Sequence, residues 1–341
     1  MWKYIGRRLL LIIPLVWGVV TLIFILLELS PGNIADKFFT PDTTPEVREL
    51  IIAKYGLDQP AIYRYFAMLR NLAFFQFGHS MAQEQPVFQI IMDALPNTIL
   101  LSVVTLIVLY PTSIVLGTIQ AVRHNSITDT SISVVSLFFY SMPSFWLAMM
   151  MQLLVAYYFA GWIEGVVADG GPEFLANWFA LPSSGMIDPV MYDYMSPGEQ
   201  LLDRAKHLLL PGIAMGLASA AGTARYMRSS LLEVIRQDYI RTARAKGLKE
   251  RTVIIKHALR NAMLPIVTII GMSVPYLFSG AVLVETIFAW PGMGRLIVQA
   301  IYEQDTPLII AAFFVSTLLV ALGNLLADVS YAFIDPRIRY D

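Results

Sequence analysis

Uncharged apolar stretches, each long enough to cross a lipid bilayer, constrain the fold of this chain more than any other feature. Residues 9–27 contain no charged residue, and a helix of about 20 apolar residues crosses the roughly 30 Å of hydrocarbon in a bilayer. Hydrophobic residues make up 57% of the 341 residues and charged residues 14%, and the mean hydropathy is +0.62. This composition excludes a soluble domain with a fully wetted surface. The sequence therefore predicts an all-α polytopic membrane protein.

Six such stretches predict six transmembrane helices. They are residues 9–27, 94–122, 132–160, 208–224, 264–284 and 308–327. We expect the first to be retained, because it is longer than the apolar part of a signal peptide and no small-residue cleavage site follows it. Pro143 should kink or break the third. Small residues in the fourth, such as Gly212 and Gly216, favour close helix packing, and a role in lining a solute pathway is the alternative.

The spans divide the chain into parts with different expected positions. These are a first span (1–30), an extracytoplasmic loop (31–93), a core of five further spans (94–335), an extracytoplasmic insertion within the core (161–206), a cytoplasmic coupling loop within it (225–263) and a tail (336–341). In the first loop, residues 44–55 and 61–75 have the pattern of amphipathic helices that lie at a membrane surface.

The distribution of basic residues predicts which side of the membrane each loop occupies. Six spans place both termini on one side. The terminal segments, the turn at 123–129 and the loop at 225–263 together hold 16 of the 24 Lys and Arg residues. Because cytoplasmic loops carry the excess of basic residues, we expect both termini and the 225–263 loop to be cytoplasmic.

A basic segment at residues 238–265 lies between the fourth and fifth spans and has the pattern of a helical hairpin. Asp238 is a suitable N-cap for a helix over residues 240–246, and Gly247 supplies the positive φ that ends such a helix. A second helical stretch follows at 252–263. A short rigid hairpin at a membrane face can dock a partner from the aqueous phase, and the alternative is an ordinary basic cytoplasmic loop.

Three acidic residues lie in or beside the spans. They are Glu28, Glu285 and Asp328. Glu285 follows Pro265 by a helical length of about 30 Å at 1.5 Å per residue, so we expect it near the outer boundary. All three should reach interfacial water, which favours interfacial or packing roles over a proton relay through the membrane.

Several kinds of chemistry have no signature in the sequence. The phosphate-binding pattern G-x-x-x-x-G-K-[ST] does not occur, so the chain cannot itself be an ATPase. Neither H-E-x-x-H nor paired histidine spacing occurs, which argues against a metal site, and no G-x-S-x-G marks a serine nucleophile. The chain has no cysteine, which excludes disulfides and thiolate ligands. We expect no catalytic residues, no cofactor in this chain and no nucleic acid partner.

The basic hairpin resembles the loop that carries the EAA motif of ATP-binding-cassette (ABC) importers, which reads Glu-Ala-Ala, three residues, Gly, and later Leu-Pro. Here Arg241-Thr242-Ala243, a three-residue spacer, Gly247 and Leu264-Pro265 occupy the motif. The replacement of Glu-Ala by Arg-Thr matches the peptide-transporter branch.

A second stretch, VETIFAWPGMG at residues 284–294, resembles the signature of the dipeptide and oligopeptide permease family among these importers. Shorter pieces agree in the same order: residues 4–10 with Pro14, Pro31-Gly32, residues 57–60, 95–98, 142–146 and 181–185, and Asp335-Pro336-Arg337. The resemblance thus covers nearly the whole chain. Two departures are Phe75-Gln76-Phe77-Gly78, where Gly-Asp-Phe-Gly is usual, and an apparent extra segment at about 163–180.

The resemblance implies a type I ABC importer permease: one of two homologous permease subunits, in the cytoplasmic membrane of a bacterium or archaeon. Its partners would be a second permease, two cytoplasmic ATPase subunits that bind ATP and Mg²⁺, and an extracytoplasmic substrate-binding protein. The cargo would be di- or oligopeptides, and nickel chelates and oligosaccharides stay open. The alternative is a stand-alone secondary transporter or channel, although the sequence shows no inverted repeat.

The resemblance also implies residue roles. We expect an outer gate at Glu285, Pro291, Gly292 and Gly294. The residues expected to couple the chain to the ATPases are Asp238, Arg241, Thr242, Ala243, Ala245, Lys246 and Gly247.

Overall fold

The computed structural model describes residues 2–30, 44–56, 58–273, 275 and 282–334. Helices account for most of them: α1 (Trp2–Leu29), α2 (Pro45–Tyr55), α3 (Ala61–Ala73), α4 (Val87–Val122), α5 (Ile127–Ser141), α6 (Ser144–Ala168), α7 (Phe174–Phe179), α8 (Pro197–Ile235), α9 (Asp238–Ala245), α10 (Glu250–Ala262), α11 (Leu264–Met272), α12 (Val282–Ile287), α13 (Met293–Tyr302) and α14 (Thr306–Ile334). Three predicted features, Pro31-Gly32, the tail at 336–341 and most of residues 274–281 in the fifth span, lie outside the described residues.

Five of the described helices are long and apolar enough to cross a membrane: α1, α4, α6, α8 and α14. A sixth span results if α10 and α11, which meet at an angle of 44°, count as one bent helix. Five or six candidate spans accord with the six predicted, but the bent pair covers residues 250–272, whereas the predicted fifth span is 264–284, of which residues 274 and 276–281 lie outside the described residues. Leu264-Pro265 lies at the bend, where proline at the start of a helix lacks the N–H that an unbroken helix would need.

Helices α4 and α8 form the centre of the bundle and run parallel. A Cβ atom on Gly212 would lie 2.7 Å from Val104 Cγ1, and one on Gly216 would lie 2.6 Å from Val108 Cγ1. Further along the same pair, a Cβ atom on Gly117 would lie 2.5 Å from the carbonyl oxygen of Ala224. The small residues of α8 therefore let the two helices approach closely, as the packing interpretation predicted.

Ion pairs attach α1 to the rest of the bundle at both of its ends. Near its start, Arg8 Nη2 lies 2.9 Å from Asp328 Oδ2 of α14. Near its end, Glu28 pairs with Arg64 of α3. Because Arg8 lies early in α1 and Asp328 late in α14, the two helices run antiparallel. The predicted packing roles of Glu28 and Asp328 are confirmed.

Helices continue into segments that the sequence assigned to loops, and the loop bounds themselves stay predictions. Helix α4 begins at Val87, before the predicted second span at 94–122. The expected insertion at 161–206 is helical at both ends, since α6 reaches Ala168 and α8 begins at Pro197. The α8 start is fixed by a capping box between Ser196 and Glu199. The helix then continues to Ile235, so the first part of the predicted coupling loop, residues 225–235, belongs to α8.

Pro143 breaks the third predicted span, one of the two outcomes expected from the sequence. Helix α5 ends at Ser141, Met142 is extended, and α6 begins at Ser144. Residues 152–159 of α6 are π-helical, which allows the helix to absorb a local change in register. The two helices predicted at 44–55 and 61–75 are present as α2 and α3, but only α3 has a clear apolar face.

Candidate functional site

The basic hairpin consists of α9, Gly247 and α10. Gly247 has a φ of +76°, and its N–H donates to the carbonyl oxygen of Arg244 at 2.9 Å, so it ends α9 as predicted. The first boundary was wrong: Gln237 holds the N-cap position, and Asp238 lies in the first turn of the helix. An acid there still favours the helix through the helix dipole.

One face of the basic hairpin packs against the bundle. Ile240 is fully buried, and Ala243 is 7% exposed, in a cluster with Met227, Leu231 and Val253. Ser230 of α8 also donates to the carbonyl oxygen of Ala262 at 2.9 Å. Ala243 therefore does not face outward with the other expected docking residues, and its small side chain instead brings α9 close to the bundle.

The opposite face of the basic hairpin is exposed and mostly charged. It carries the remaining expected docking residues: Asp238, Arg241, Thr242, Ala245, Lys246 and Gly247. Arg244 bridges to Glu250 across the turn, with 2.7 Å between Nη2 and Oε1. This contact lowers the pKa of the Glu250 carboxyl. The hairpin thus presents a largely polar surface while Ile240, Ala243 and Val253 pack against the bundle. The large apolar side chains that it leaves exposed are Tyr239, Leu248 and Ile255.

A second constellation, the latch, consists of Thr98, Glu285, Gly292, Gly294 and Arg295 at the other end of the bundle. Glu285 is completely buried, so the expectation that it reaches interfacial water was wrong. Its Oε1 accepts from the Thr98 hydroxyl at 3.0 Å, and its Oε2 accepts from the backbone N–H of Arg295 at 3.0 Å. These hydrogen bonds and the nearby N-terminus of α13 offset the cost of burying the carboxylate. The burial of Glu285 thus depends on how distant segments pack and not on its position along the helix.

The glycines of the latch make room for this carboxylate. A Cβ atom on Gly292 would lie 2.6 Å from both Glu285 Cδ and Thr98 Oγ1, and one on Gly294 would lie 2.9 Å from Glu285 Oε2. The Thr98 hydroxyl also accepts from the N–H of Met293 at 2.7 Å. The gate residues expected from the sequence are therefore brought together.

Two residues of α4 complete the latch and were not among the expected site residues. The first is Thr98, described above. The second is Asn97, whose side-chain Nδ2 donates to the carbonyl oxygen of Pro291 at 2.9 Å. The backbone carbonyl oxygen of Asn97 accepts from Trp290 Nε1 at 2.9 Å. In the sequence, residues 95–98 stand out only as one of the short pieces that resemble the peptide permease family. No local pattern indicates that they meet a segment nearly 200 residues later.

A buried ion pair near the basic hairpin was also missed. Arg228 of α8 contacts both carboxylate oxygens of Asp129 in α5, at 3.0 and 2.7 Å. Asn125 adds a backbone N–H at 3.0 Å and His124 Nδ1 lies 3.4 Å away. The hydrogen bonds from Arg228 lower the pKa of Asp129 to about 2. The pair ties the 123–129 turn to α8, and an isolated acid in a polar turn gave no sequence signal.

Asp305 is a second buried acid that the sequence did not single out. It precedes α14 and accepts from the N–H of Leu308 at 3.2 Å, as an N-cap does. Its other oxygen accepts from the N–H of Ala82 at 3.1 Å and from the Ser80 hydroxyl. Asp305 therefore fixes the loop before α4 to the start of α14. Among the described residues, no group of three or more His, Asp or Glu is placed to hold a metal ion.

The fold and the two constellations define a class: a helical, multi-pass membrane protein with an exposed basic hairpin at one end and a buried hydrogen-bonded latch at the other. The sequence matches the family described as "binding-protein-dependent transport system inner membrane component" over residues 113–340. The chain belongs to this family.

Full-length relatives agree with this assignment. The chain is 39% identical over 338 residues to the oligopeptide transport system permease protein AppB of Bacillus subtilis, covering 99% of each chain. It is 36% identical over 342 residues to the dipeptide transport system permease protein DppB of Alkalihalophilus pseudofirmus, covering all of both. The Escherichia coli K12 protein DppB is 37% identical over 347 residues, covering 100% of this chain and 99% of its own. The chain is thus an ABC importer permease of the inner membrane, a transport rather than catalytic subunit that works with ATPase and substrate-binding partners.

Proposed function

We propose that this chain is one of two homologous permease subunits of a bacterial or archaeal importer for di- and oligopeptides. The printed names of the full-length relatives, which are oligopeptide and dipeptide permeases, support the peptide cargo. The second permease would complete a heterodimeric pathway. An extracytoplasmic binding protein would deliver peptide at the latch end, and both termini and the basic hairpin would be cytoplasmic.

Two ATPase subunits would dock on the two permeases. These subunits would bind ATP and Mg²⁺, and this chain would need no cofactor of its own. The observation that carries this proposal is the division of the basic hairpin into two faces. Ile240 and Ala243 are buried against the bundle, whereas Arg241 has 73% of its side chain exposed. A hairpin anchored to the bundle through Ile240 and Ala243 can transmit a displacement to the helices that it packs against.

The basic hairpin connects to the latch through two long helices. It follows α8 directly, α8 packs along α4 through Gly212, Gly216 and Gly117, and α4 carries Thr98 of the latch. Interiors packed this closely transmit displacement rather than absorb it. ATP binding would shift the permease between inward-open and outward-open states only through contacts that differ between the two. Family membership argues against the stand-alone transporter considered from the sequence.

Co-purification of the ATPases tests docking. In a tagged Arg241→Glu, Lys246→Glu variant, repulsion should remove most of the ATPases that accompany the wild-type chain in mild detergent. Arg70→Glu is the matched control, because Arg70 is exposed on α3, away from the basic hairpin. Retention of the ATPases by the double variant, or equal loss in the control, would contradict docking at the hairpin.

Thiol labelling tests the orientation in the membrane. The chain has no cysteine, so Lys249→Cys introduces a single thiol at an exposed position of the hairpin. On intact cells, an impermeant reagent should fail to label it. The same reagent should label Tyr194→Cys, a position 85% exposed in the segment before α8. The reverse pattern would overturn the cytoplasmic placement.

A further inference from the structure

A pocket of about 350 Å³ with both polar and apolar walls opens beside the latch. Its walls come from the start of α4, from α13 and from Gln83 and Gln85 in the preceding loop. The lining also includes Asn97, Pro291 and Gly292. Two of these, Pro291 and Gly292, are among the residues expected to form the outer gate. Ligand pockets are commonly about 300–1,000 Å³, which places this one at the size of a small solute.

The charged residues among the described lining are one acid and one base, Asp93 and Arg295. Within the described part of the chain, no ion pair joins them or pairs either with another residue. The Arg295 guanidinium donates through Nη1 to the carbonyl oxygen of Ala289, which holds the side chain in place and leaves other N–H donors for a ligand. Asp93 is exposed, and its carboxylate is an acceptor for a cationic group.

We propose that this pocket is a subsite for short zwitterionic peptides on their way through the permease. The Asp93 carboxylate would bind the peptide α-amino group, and the Arg295 guanidinium would bind the α-carboxylate. Gln83 and Gln85 would bind the peptide bond. Opposite charges held apart in one pocket match the two ends of a dipeptide better than a neutral sugar or a dianion. This inference rests on the proposed peptide import and adds the site and the chemistry of recognition.

The position of Arg295 links this subsite to the latch. Arg295 lines the pocket, and its backbone N–H donates to Glu285. A peptide that pulls on the guanidinium therefore acts on the residue that holds the buried carboxylate. Occupancy of the pocket would in this way reach the gate without contact between the peptide and Glu285.

Protection of an introduced thiol tests binding directly. Gln299→Cys places a thiol in the pocket wall, on α13, and Tyr302→Cys places one on the same helix outside the lining at a position 85% exposed. The assembled complex, purified without its binding protein, is labelled with and without millimolar Ala-Ala. We expect Ala-Ala to slow labelling of the Gln299→Cys variant several-fold and to leave the Tyr302→Cys variant unchanged.

Blocked peptides and charge variants test the chemistry. N-acetyl-Ala-Ala and Ala-Ala-amide should protect poorly. Adding Asp93→Asn to Gln299→Cys should raise the Ala-Ala concentration needed for protection about ten-fold or more, since a charge-assisted hydrogen bond is lost, with little change for N-acetyl-Ala-Ala. Adding Arg295→Gln should act in the same way on the carboxylate end.

Two outcomes would overturn the subsite: no protection by Ala-Ala, or equal protection by the blocked peptides. Uptake of labelled dipeptide by cells that carry the wild-type complex is measured in parallel. If uptake occurs and protection does not, the subsite fails while peptide import stands. If uptake of peptides is absent altogether, the proposed function itself has failed.

Discussion

The basic hairpin and the latch lie at the two ends of one bundle, and they differ in how their charged groups are stabilised. In the latch, a carboxylate with no solvent exposure is held by Thr98, by the N–H of Arg295 and by the space that Gly292 leaves. In the basic hairpin, Arg241 and Asp238 face water and pair at 3.3 Å with 73% and 95% of their side chains exposed. The latch depends on close complementarity, and the hairpin depends on backbone shape and exposed charge.

The two regions should therefore be sensitive to different kinds of substitution. Buried polar groups are expensive to disturb, because a lost partner leaves an uncompensated group. Exposed ion pairs contribute little, because water replaces them readily. The latch should therefore be sensitive to the loss of a single contact, and the basic hairpin to changes in backbone geometry.

The largest effect should come from changing the hairpin turn. Proline is fixed near a φ of −65°, and Gly247 has a φ of +76°, so Gly247→Pro must deform the end of α9. We expect ATP-driven peptide uptake to fall about ten-fold or more, equivalent to about 1.4 kcal/mol or more, while membrane insertion is retained. Uptake and ATPase activity of the reconstituted complex measure this.

The matched control for the turn is Gly170→Pro. Gly170 has a φ of +92°, and its N–H donates to Val167 at 3.0 Å, as that of Gly247 donates to Arg244. A Cβ atom added at Gly170 would meet open space, as one added at Gly247 would. Uptake should persist in this variant, and equal loss in both would show that strain alone, and not the position in the basic hairpin, caused the effect.

The next effect should come from filling the space in the latch. Gly292→Ala forces a Cβ atom to within 2.6 Å of Glu285 and Thr98, and overpacking of this kind costs about 1–3 kcal/mol. We expect a lower Tm of the purified complex. Gly161→Ala, in α6 with nothing near its Cβ, should be neutral or stabilising by up to about 1 kcal/mol, since Ala favours helix. Equal Tm values would contradict a tightly packed latch.

A smaller effect should follow the loss of the Asp129 charge. This substitution tests whether a buried polar contact near the basic hairpin also stabilises the fold. Asp129→Asn keeps the shape but removes the charged partner of Arg228, which is itself 28% exposed. We expect a loss of about 1.5 kcal/mol, the lower end for hydrogen bonds to charged groups. Thermal unfolding of the two purified complexes measures the difference.

The pH dependence of that difference has a defined sign. Folding lowers the pKa of Asp129 from 3.8 to about 2, so the stabilisation is complete above about pH 4 and is lost as pH falls toward 2. The wild-type and Asp129→Asn proteins should converge over that interval. A constant difference would show that the charge of Asp129 does not stabilise the fold.

The smallest effect should come from the exposed pair in the basic hairpin. Glu250→Gln removes the bridge to Arg244, whose partners are 40% and 57% exposed, and such pairs contribute about 0–1 kcal/mol. The pKa of Glu250 is lowered by Arg244, so this contribution is present at neutral pH and is lost in acid. A change in Tm as large as that of Asp129→Asn would break the contrast between exposed and buried pairs.

The sequence predicted the elements that local chemistry controls. Five of the spans, the glycine that ends α9, the break at Pro143 and the amphipathic helix α3 all follow from hydropathy, periodicity and backbone restriction. Span ends were less predictable, because helices α4 and α8 continue past the apolar stretch once a proline or a capping box starts them. The docking residues other than Ala243 are exposed as expected, although whether they bind ATPases stays a prediction.

What the sequence alone determined is therefore the membrane class, the helical topology and the position of the basic hairpin, because apolar length and glycine and proline restrictions act over a few residues. Tertiary structure alone decided the burial of Glu285, its hydrogen bond to Thr98 across 187 positions of the chain, the Asp129 and Arg228 pair, and the pocket between Asp93 and Arg295. These contacts depend on how α4, α5, α8 and α13 pack, and packing between distant segments leaves no periodic signal in either one.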